Sequence, residues 1–400
     1  MRALYVSYFG LRQPLVQTQV LPYLRELARG GVDIHLLTFE PEAPPRWQAD
    51  AARRRDELRR HGITWHWRRY HKRPALPATL WDILAGAHAI RNLDRLHHFN
   101  ILHGRNHIAT QMCRLARRER SQAVIFDIRG LFAEEYVDAG LWRQGGALFR
   151  LAKAHERRLL READGFVVLT RRARQALFGD GRGATADGRP IEVIPCCVDL
   201  DAFPDSAEDR CRAPGGSTRL VYAGSVTGLY RLGDMCRFAT HFRPSAPINF
   251  SVFTHHDEEA TRAAIANAGL APHEYSVACV EPSSIPRELR RAHIGVSFRT
   301  ETHSQIAASP TKIAEYLAAG LPVVSSARVG DTDELLSAER VGVIVRDWDD
   351  RTLRATAEQA SALALDPITA DRCRRVARDH FDLRTVGGPA YRRLYDRVTS

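Results

Sequence analysis

This 400-residue sequence has few lysines, no long apolar run and no cysteines at the regular spacing of a disulfide framework. No apolar run reaches the roughly 18 residues of a membrane-spanning helix, and Met1–Val6 predicts a β-strand rather than a secretory signal. The seven cysteines have no framework spacing, which predicts reduced thiols in a cytoplasmic protein. Neither a Cys/His cluster with zinc spacing nor an acidic metal motif occurs, so we expect no metal and no other cofactor.

Lysine is nearly absent although the chain is strongly basic. Of the 58 Lys and Arg residues, only Lys72, Lys153 and Lys312 are lysines. Residues 1–200 carry a net charge of +12, whereas residues 201–400 carry −1. The first half therefore either faces an anionic partner or is simply well solvated. Because the charge lies in one half and no recognised motif accompanies it, we expect no nucleic-acid partner.

The composition and the order of the predicted elements indicate a two-domain α/β protein. Hydrophobic residues make up 44% of the chain and charged residues 26%, and its length allows two full cores. Predicted strands alternate with predicted helices, one of them Val16–Arg29, which favours parallel sheets. Two such series are separated by 198–216, which holds prolines and glycines and is the predicted domain junction.

A helix with both ends marked is predicted shortly after residue 308. Ser309 is expected to cap it, Pro310 suits its first position, and Gly320 is expected to end it before a buried strand. Lys312 falls in the first turn, where the helix dipole disfavours a cation by a few tenths of a kcal/mol. An anion bound at the free N–H groups of that turn would explain the placement.

Glu315 lies three residues after Lys312 and therefore shares a face of this helix. Helical side chains lean toward the N-terminus, so this carboxylate is expected to reach the start of the helix. Together the two charges suit the phosphates and the ribose hydroxyls of a nucleotide. An ordinary surface ion pair is the alternative. A position that needs only positive charge would be expected to hold arginine in this chain.

The run 310–324, with Gly330 and Glu334 after it, resembles the donor-site signature of glycosyltransferase family 4. That family carries two glutamates seven residues apart; Glu315 matches the second, and Ala307 stands at the first. The resemblance implies an α/β, GT-B fold with two Rossmann-like domains facing across a cleft. It implies an acceptor domain, a nucleotide-sugar donor domain and a last helix packing on the first domain, at 1–200, 201–380 and 381–400.

The turn Gly224–Arg231 follows a predicted strand and is a candidate phosphate loop, because backbone N–H groups beside glycines can approach an anion. An ordinary turn between strand and helix is the alternative. The family often has arginine where Ser225 stands and a basic residue close to Arg231. Beside Lys312, the turn is expected to form half of a pyrophosphate clamp. The predicted donor-binding residues are Gly224, Ser225, Ser309, Thr311, Lys312 and Glu315.

Asp127 and Arg129 lie at the end of a predicted strand in the first domain, where open α/β sheets bind ligands. The family often places histidine near the transferred sugar, at the position of Arg129. Asp127 is expected to bind sugar hydroxyls or act as a base, and Arg129 to hold a phosphate. A structural Asp–Arg pair is the alternative. The predicted catalytic residues are Lys312, Arg231, Asp127 and Arg129.

A basic stretch, 53–73, holds nine Lys and Arg residues with Trp65, Trp67 and Tyr70 among them. Basic and aromatic residues together suit an anionic membrane surface. A nucleic-acid face and a plain solvated surface are the alternatives. We therefore predict docking of the first domain at the inner face of the membrane.

The predicted function is transfer of a sugar from a nucleotide sugar to an acceptor hydroxyl, in the synthesis of a cell-envelope polysaccharide or glycolipid. The family resemblance implies retention of anomeric configuration. Expected partners are the nucleotide sugar and an acceptor glycan or lipid-linked sugar. A sugar-nucleotide epimerase and a non-catalytic nucleotide-sugar-binding protein are the two alternatives.

Overall fold

The computed structural model describes residues 1–41, 47–71, 73–119, 121–179, 183–204 and 216–400. The chain forms two compact units, one of Met1–Pro195 with Leu383–Ser400 and the other of Cys196–Asp382. Much of the predicted junction at 198–216 and Lys72 of the basic stretch lie outside the described residues. Among the helices described, none is both long and apolar enough to cross a membrane.

The first unit is built on a parallel sheet whose strands are mostly buried, apart from the edge strand that ends at Arg69. Its seven strands are β1 (Arg2–Ser7), β2 (Asp33–Glu40), β3 (Ile63–Arg69), β4 (Ile101–Arg105), β5 (Ala123–Ile128), β6 (Gly165–Val168) and β7 (Ile191–Val193). They lie in the order β3-β2-β1-β4-β5-β6-β7. Runs of apolar residues suit such strands because helices cover both faces of a parallel sheet.

The helices of the first unit before the interdomain crossing are α1 (Pro14–Gln19), α2 (Leu21–Arg29), α3 (Trp47–Arg60), α4 (Ala75–His97), α5 (Asn106–Ala116), α6 (Phe132–Asp138), α7 (Ala147–Glu162) and α8 (Arg171–Phe178). The prediction of one helix over Val16–Arg29 is wrong. The chain breaks at Val20, with φ −119° and ψ −62°, and Pro22 lies in the first turn of α2. Proline cannot donate to the preceding turn and clashes with its carbonyl, so the helix restarts.

The second unit repeats the α/β pattern on a six-stranded parallel sheet. Its strands are β8 (Thr218–Ala223), β9 (Ile248–Phe253), β10 (Tyr275–Ala278), β11 (Ile294–Ser297), β12 (Val323–Ser326) and β13 (Gly342–Val345). They lie in the order β10-β9-β8-β11-β12-β13. The helices are α9 (Leu232–Thr240), α10 (Glu258–Asn267), α11 (Ile285–Arg290), α12 (Thr311–Ala318), α13 (Thr332–Ala338), α14 (Asp350–Leu365) and α15 (Thr369–Phe381).

The last helix, α16 (Gly388–Thr399), belongs to the first unit. Its Tyr391 and Tyr395 are buried, and the two hydroxyls reach Asp127 and His103 of the central strands at 3.2 and 2.9 Å. Gly165 lets the helix approach β6, because a Cβ there would lie 2.6 Å from a methyl of Val398. The C-terminal end of the chain therefore completes the core of the first unit.

Candidate functional site

Helix α12 carries the predicted donor residues and is fixed tightly to the second sheet. The ring of Tyr316 packs on Gly295 of β11, where a Cβ would lie 2.4 Å from the ring. Its hydroxyl accepts the N–H of Ala223 at 3.0 Å and donates to the Val296 carbonyl at 3.3 Å. The first turn of α12, one turn before Tyr316, is thereby placed against β8 and β11.

The two ends of α12 differ in how well they follow the prediction. Gly320, with φ +78°, ends the helix, and the N–H of Leu321 returns to the Tyr316 carbonyl at 2.9 Å. The predicted cap is wrong: α12 starts at Thr311 after Pro310, and Ser309 Oγ instead accepts the N–H of Cys196 at 3.1 Å. The first turn of α12 has no capping side chain, which leaves its N–H groups suited to an anion.

Lys312 is buried in this first turn, with 7% of its surface exposed. Its Nζ has no hydrogen-bond acceptor in the described part of the chain and lies 3.9 and 4.4 Å from the ring centres of Tyr222 and Tyr230. Burial, and then the charge of Arg299, lower the pKa of this ammonium well below its usual range, while Glu315 opposes the shift. A buried, incompletely compensated cation of this kind is favourable only when an anion joins it.

Gly224, directly after β8, brings the backbone against Lys312. A Cβ at this position would lie 2.8 Å from Lys312 Nζ, and the residue has φ +138°. Its own N–H is bonded to the Phe253 carbonyl at 2.8 Å. The carboxyl end of β8 and the start of α12 therefore meet at one point, which is the junction that the sequence predicted for a phosphate.

Glu315 stands beside this cation in a half-buried position. Burial raises the pKa of its carboxyl to about 7, and the neighbouring Lys312 limits that rise. The group therefore titrates near neutral pH, and its proton is coupled to whatever binds next to it.

Ser225, predicted to bind the donor, and Arg231, predicted to be catalytic, occupy less decisive positions. Ser225 Oγ contacts His256 Nε2 at 2.9 Å. The guanidinium of Arg231 lies 3.8 Å from the ring centre of Trp348 and donates to Asp234 at 2.6 Å. These two partners hold Arg231 on α9, so it would have to leave them, at least in part, to join a pyrophosphate clamp.

Arg299 was not among the predicted site residues, although it follows β11 and so lies at the carboxyl edge of the sheet. It donates to the Tyr230 hydroxyl at 3.0 Å and to Gln305 Oε1 at 2.5 Å. A cation directly after a buried strand is the sequence signal that identifies this position. Ala307, at the family's first glutamate, is buried in the turn before α12.

In the first unit, Asp127 lies at the centre of a buried polar cluster. Tyr5 and Tyr391 donate to its carboxylate at 3.0 and 3.2 Å, and Arg129 Nη1 lies 3.5 Å from it. Burial opposes ionisation of Asp127, but Arg129 and its other polar neighbours bring its pKa below the usual range. An inaccessible carboxylate with a lowered pKa is a poor base, which favours the structural pair over the catalytic role.

The same cluster holds more positive than negative charge. Arg105 is buried and Arg129 is partly buried, with 5% of its side chain exposed, and each donates to Gln19 Oε1, at 3.0 and 3.4 Å. Arg105 Nη1 lies 3.8 Å from Asp127, and burial lowers the pKa of His103, which keeps that imidazole neutral at pH 7. Two guanidinium groups therefore share one carboxylate at the carboxyl ends of β4 and β5, an arrangement that attracts a further anion.

Comparison with protein families identifies the first unit. The family model described as Glycosyl transferase 4-like domain matches residues 16–197. A search of curated proteins finds no significant match.

Solved structures reproduce the fold over the whole chain. A glycosyltransferase from Rickettsia africae has a TM-score of 0.68 at 13% identity and covers 100% of this chain and 99% of its own. Sucrose-phosphate synthase from Thermosynechococcus elongatus has 0.67 at 15% identity, covering 99% of both chains. HepE of Anabaena, solved with UDP and glucose, has 0.65 at 13% identity, with 99% and 100% covered. Residues 16–197 thus match a glycosyltransferase 4-like domain, and the chain as a whole has the GT-B fold that its sequence predicted.

Proposed function

We propose that the protein transfers a sugar from a nucleotide-sugar donor to an acceptor hydroxyl, with retention of anomeric configuration. The observation that carries this proposal is the buried ammonium of Lys312 at the start of α12, which has no hydrogen-bond acceptor among the described residues. A nucleotide diphosphate would supply the missing acceptor. The complex of HepE with UDP and glucose supports UDP as the first nucleotide to test.

In this proposal Lys312 acts mainly at the leaving group. Negative charge grows on the diphosphate as the glycosidic bond breaks, and a preorganised cation in a buried site stabilises that charge more than it stabilises the bound donor. The N–H groups of the first turn of α12 supply further hydrogen bonds to the same phosphates. These groups would take the place of a metal ion.

Glu315 would bind the ribose of the donor. A ribose hydroxyl donating to the carboxylate favours its ionised form, and the phosphate bound at Lys312 keeps the neighbouring ammonium charged. The absence of a Cβ at Gly224 lets Lys312 Nζ lie against the backbone after β8, where the diphosphate would bind. Arg231 would assist only after it exchanges Asp234 for a phosphate.

We propose that the acceptor carries an anionic group that binds Arg105 and Arg129. The two guanidinium groups lie at the carboxyl edge of the first sheet with a single carboxylate between them. Arginine binds phosphate through two parallel hydrogen bonds, which makes a phosphorylated or lipid-diphosphate-linked sugar the best match.

An anionic membrane surface is the proposed partner of the first unit, through part of the predicted stretch, including the exposed Trp67, together with residues of α4 that were not predicted. Trp65 is only 3% exposed and donates to Thr38, so its predicted place at the lipid surface is wrong. Helix α4 instead exposes a stripe of apolar residues, each 62–64% exposed, preceded by the exposed Arg68, Arg69 and Arg73. The stripe consists of Leu76, Leu80, Trp81 and Leu84. Exposed leucine and tryptophan beside arginines suit an anionic membrane.

The donor proposal is tested by thermal-shift measurements with UDP, GDP and ADP sugars, followed by turnover assays. We expect one nucleotide class to raise the melting temperature, because a ligand that binds only the folded chain stabilises it by mass action. Release of nucleotide that requires an acceptor would separate a transferase from an epimerase. Binding without any turnover would instead support a non-catalytic protein.

The membrane proposal is tested by co-sedimentation with anionic and zwitterionic vesicles at low and high salt. We expect binding to anionic vesicles that weakens with salt and is lost in the double variant Leu80→Asp/Leu84→Asp. Leu96→Asp is the matched control, since Leu96 is 73% exposed near the other end of α4. Equal loss in the control, or equal binding to both vesicle types, would contradict a specific role of this stripe.

A further inference from the structure

Three histidines meet beside the edge of the first sheet, away from the residues discussed so far. His35 is in β2, His66 in the neighbouring strand β3, and His97 in the last turn of α4. One ring nitrogen from each can be chosen so that all three lie within 4.8 Å of one another. His35 is the third residue of β2, so the cluster lies toward the amino ends of the strands and not at their carboxyl edge.

The spacing of these nitrogens is close to that of a metal site. His35 Nδ1 and His66 Nε2 are 3.0 Å apart, and the ring centres of His35 and His97 are 4.4 Å apart. Ring nitrogens at about 2.0–2.1 Å from a tetrahedral zinc ion lie about 3.3 Å from one another. Small rotations of the three side chains would therefore reach this geometry without movement of the strands.

The surroundings of His35 orient its ring in the way that metal ligands require. Its second nitrogen, Nε2, lies 3.6 Å from a carboxylate oxygen of Asp33, and the other oxygen of Asp33 is held by Arg2. Metal-binding histidines commonly direct their second nitrogen to a carboxylate, which fixes the ring and increases the basicity of the ligand. Here Nε2 lies toward the carboxylate, and Nδ1 faces His66 Nε2 at 3.0 Å.

The exposure of the rings also suits a metal. His66 and His97 are each only partly buried, so the cluster can be reached from solvent and a water molecule can serve as a fourth ligand.

We propose that His35, His66 and His97 form a binding site for a divalent transition metal of the zinc class, with water as the fourth ligand. The ion would fasten the C-terminal end of α4 to the edge strands β2 and β3. Three imidazoles suit zinc, cobalt, nickel and copper, and lack the oxygen ligands that calcium and magnesium prefer. The role is structural, because the candidate acceptor residues lie at the opposite edge of the sheet.

The test uses the full-length chain stripped of metal with a chelator and titrated with Zn²⁺ in a calorimeter. We expect one tight site per chain, and a Co²⁺ complex with the intense visible absorption of tetrahedral cobalt. Either His66→Gln or His97→Gln should weaken Zn²⁺ binding by about 100-fold or more, since loss even of outer partners costs 10–100-fold. Both side chains are partly exposed, so the variants should still fold.

The matched control is His88→Gln, which removes an exposed histidine from the same helix. It should bind Zn²⁺ as the wild type does and keep the cobalt spectrum. The proposal is overturned if the wild type shows no tight site, if the cobalt spectrum is octahedral, or if His88→Gln loses as much affinity as His66→Gln. In the first case the three rings would be a hydrogen-bonded, stacked packing cluster.

Discussion

Replacement of Lys312 by methionine should separate the stability of the chain from its binding function. Methionine keeps the length of the side chain and removes the charge. In the wild type, the ammonium is buried against the rings of Tyr222 and Tyr230. No anionic group among the described residues forms a hydrogen bond with it. We therefore expect Lys312→Met to be more stable than the wild type without ligand and unable to bind a nucleotide diphosphate tightly.

The size of the effect follows from opposing contributions. Burying a cation costs several kcal/mol, whereas each contact of the cation with an aromatic ring returns about 0.5–2 kcal/mol. We expect a net gain in the free energy of unfolding of about 1–3 kcal/mol for Lys312→Met. For a unit of this size that gain corresponds to a rise in melting temperature of about 2–12 °C.

The pH dependence gives the same reasoning a second test. The pKa of Lys312 is lowered in the folded chain. Between that lowered value and about 10.4 the unfolded chain binds one more proton than the folded chain, so wild-type stability should rise with pH across this window. Below the folded pKa, the destabilisation caused by burying the charged ammonium is complete and constant. Above about 10.4, this destabilisation vanishes. Lys312→Met should lack this rise.

Calorimetric melting of both proteins from pH 6 to about 10, with and without UDP, measures the stability difference, its pH dependence and the stabilisation by the nucleotide. Saturating UDP at about 100 times its dissociation constant should stabilise the wild type by about 2.7 kcal/mol and the variant very little. A variant less stable than the wild type by several kcal/mol would refute the reasoning, because it would mean that Lys312 already has a stabilising partner.

Three other substitutions test the remaining parts of the site. Glu315→Gln should weaken UDP binding about 10–100-fold through loss of charged hydrogen bonds to the ribose, and leave pyrophosphate binding unchanged in the same titration. Because the pKa of Glu315 is raised to about 7, wild-type stability should fall as pH rises from about 4.5 to 7, and this fall should disappear in Glu315→Gln. Gly224→Ala should lower stability by about 1–3 kcal/mol in denaturant unfolding, since alanine is strained at the φ of +138° that Gly224 adopts. Arg105→Gln should raise KM for a phosphorylated acceptor at least tenfold and leave donor affinity unchanged; an equal effect with an uncharged acceptor would argue against an anion site.

The sequence predicted most of the secondary structure because buried parallel strands and amphipathic helices have distinct patterns. Gly320 was recognised as a helix end because few other residues adopt its positive φ at low cost. The pairing of Lys312 with the Gly224 turn was also predictable. Gly224 follows a strand and Lys312 lies at the start of a helix, and such ends meet at the carboxyl edge of a parallel sheet.

Predictions failed where local patterns compete with tertiary contacts. Trp65 was predicted to lie at a membrane surface, but it is buried in the edge strand β3. Serine is a common helix-capping residue, yet the hydroxyl of Ser309 accepts the N–H of Cys196 instead. The local sequence allowed Trp65 an exposed position and Ser309 a capping role. In each case a contact with a residue distant in the sequence decided where the side chain lies.

The sequence by itself determined the two α/β series and the two charges at the start of α12. Only the tertiary structure decided that Lys312 is buried without an acceptor among the described residues, that Asp127 is enclosed by α16, and that three histidines meet. His35, His66 and His97 follow one another at intervals of 31 residues, a spacing with no local meaning. Burial, charge compensation and metal-ligand geometry depend on neighbours that only the folded chain brings within a few ångströms, so no local pattern encodes them.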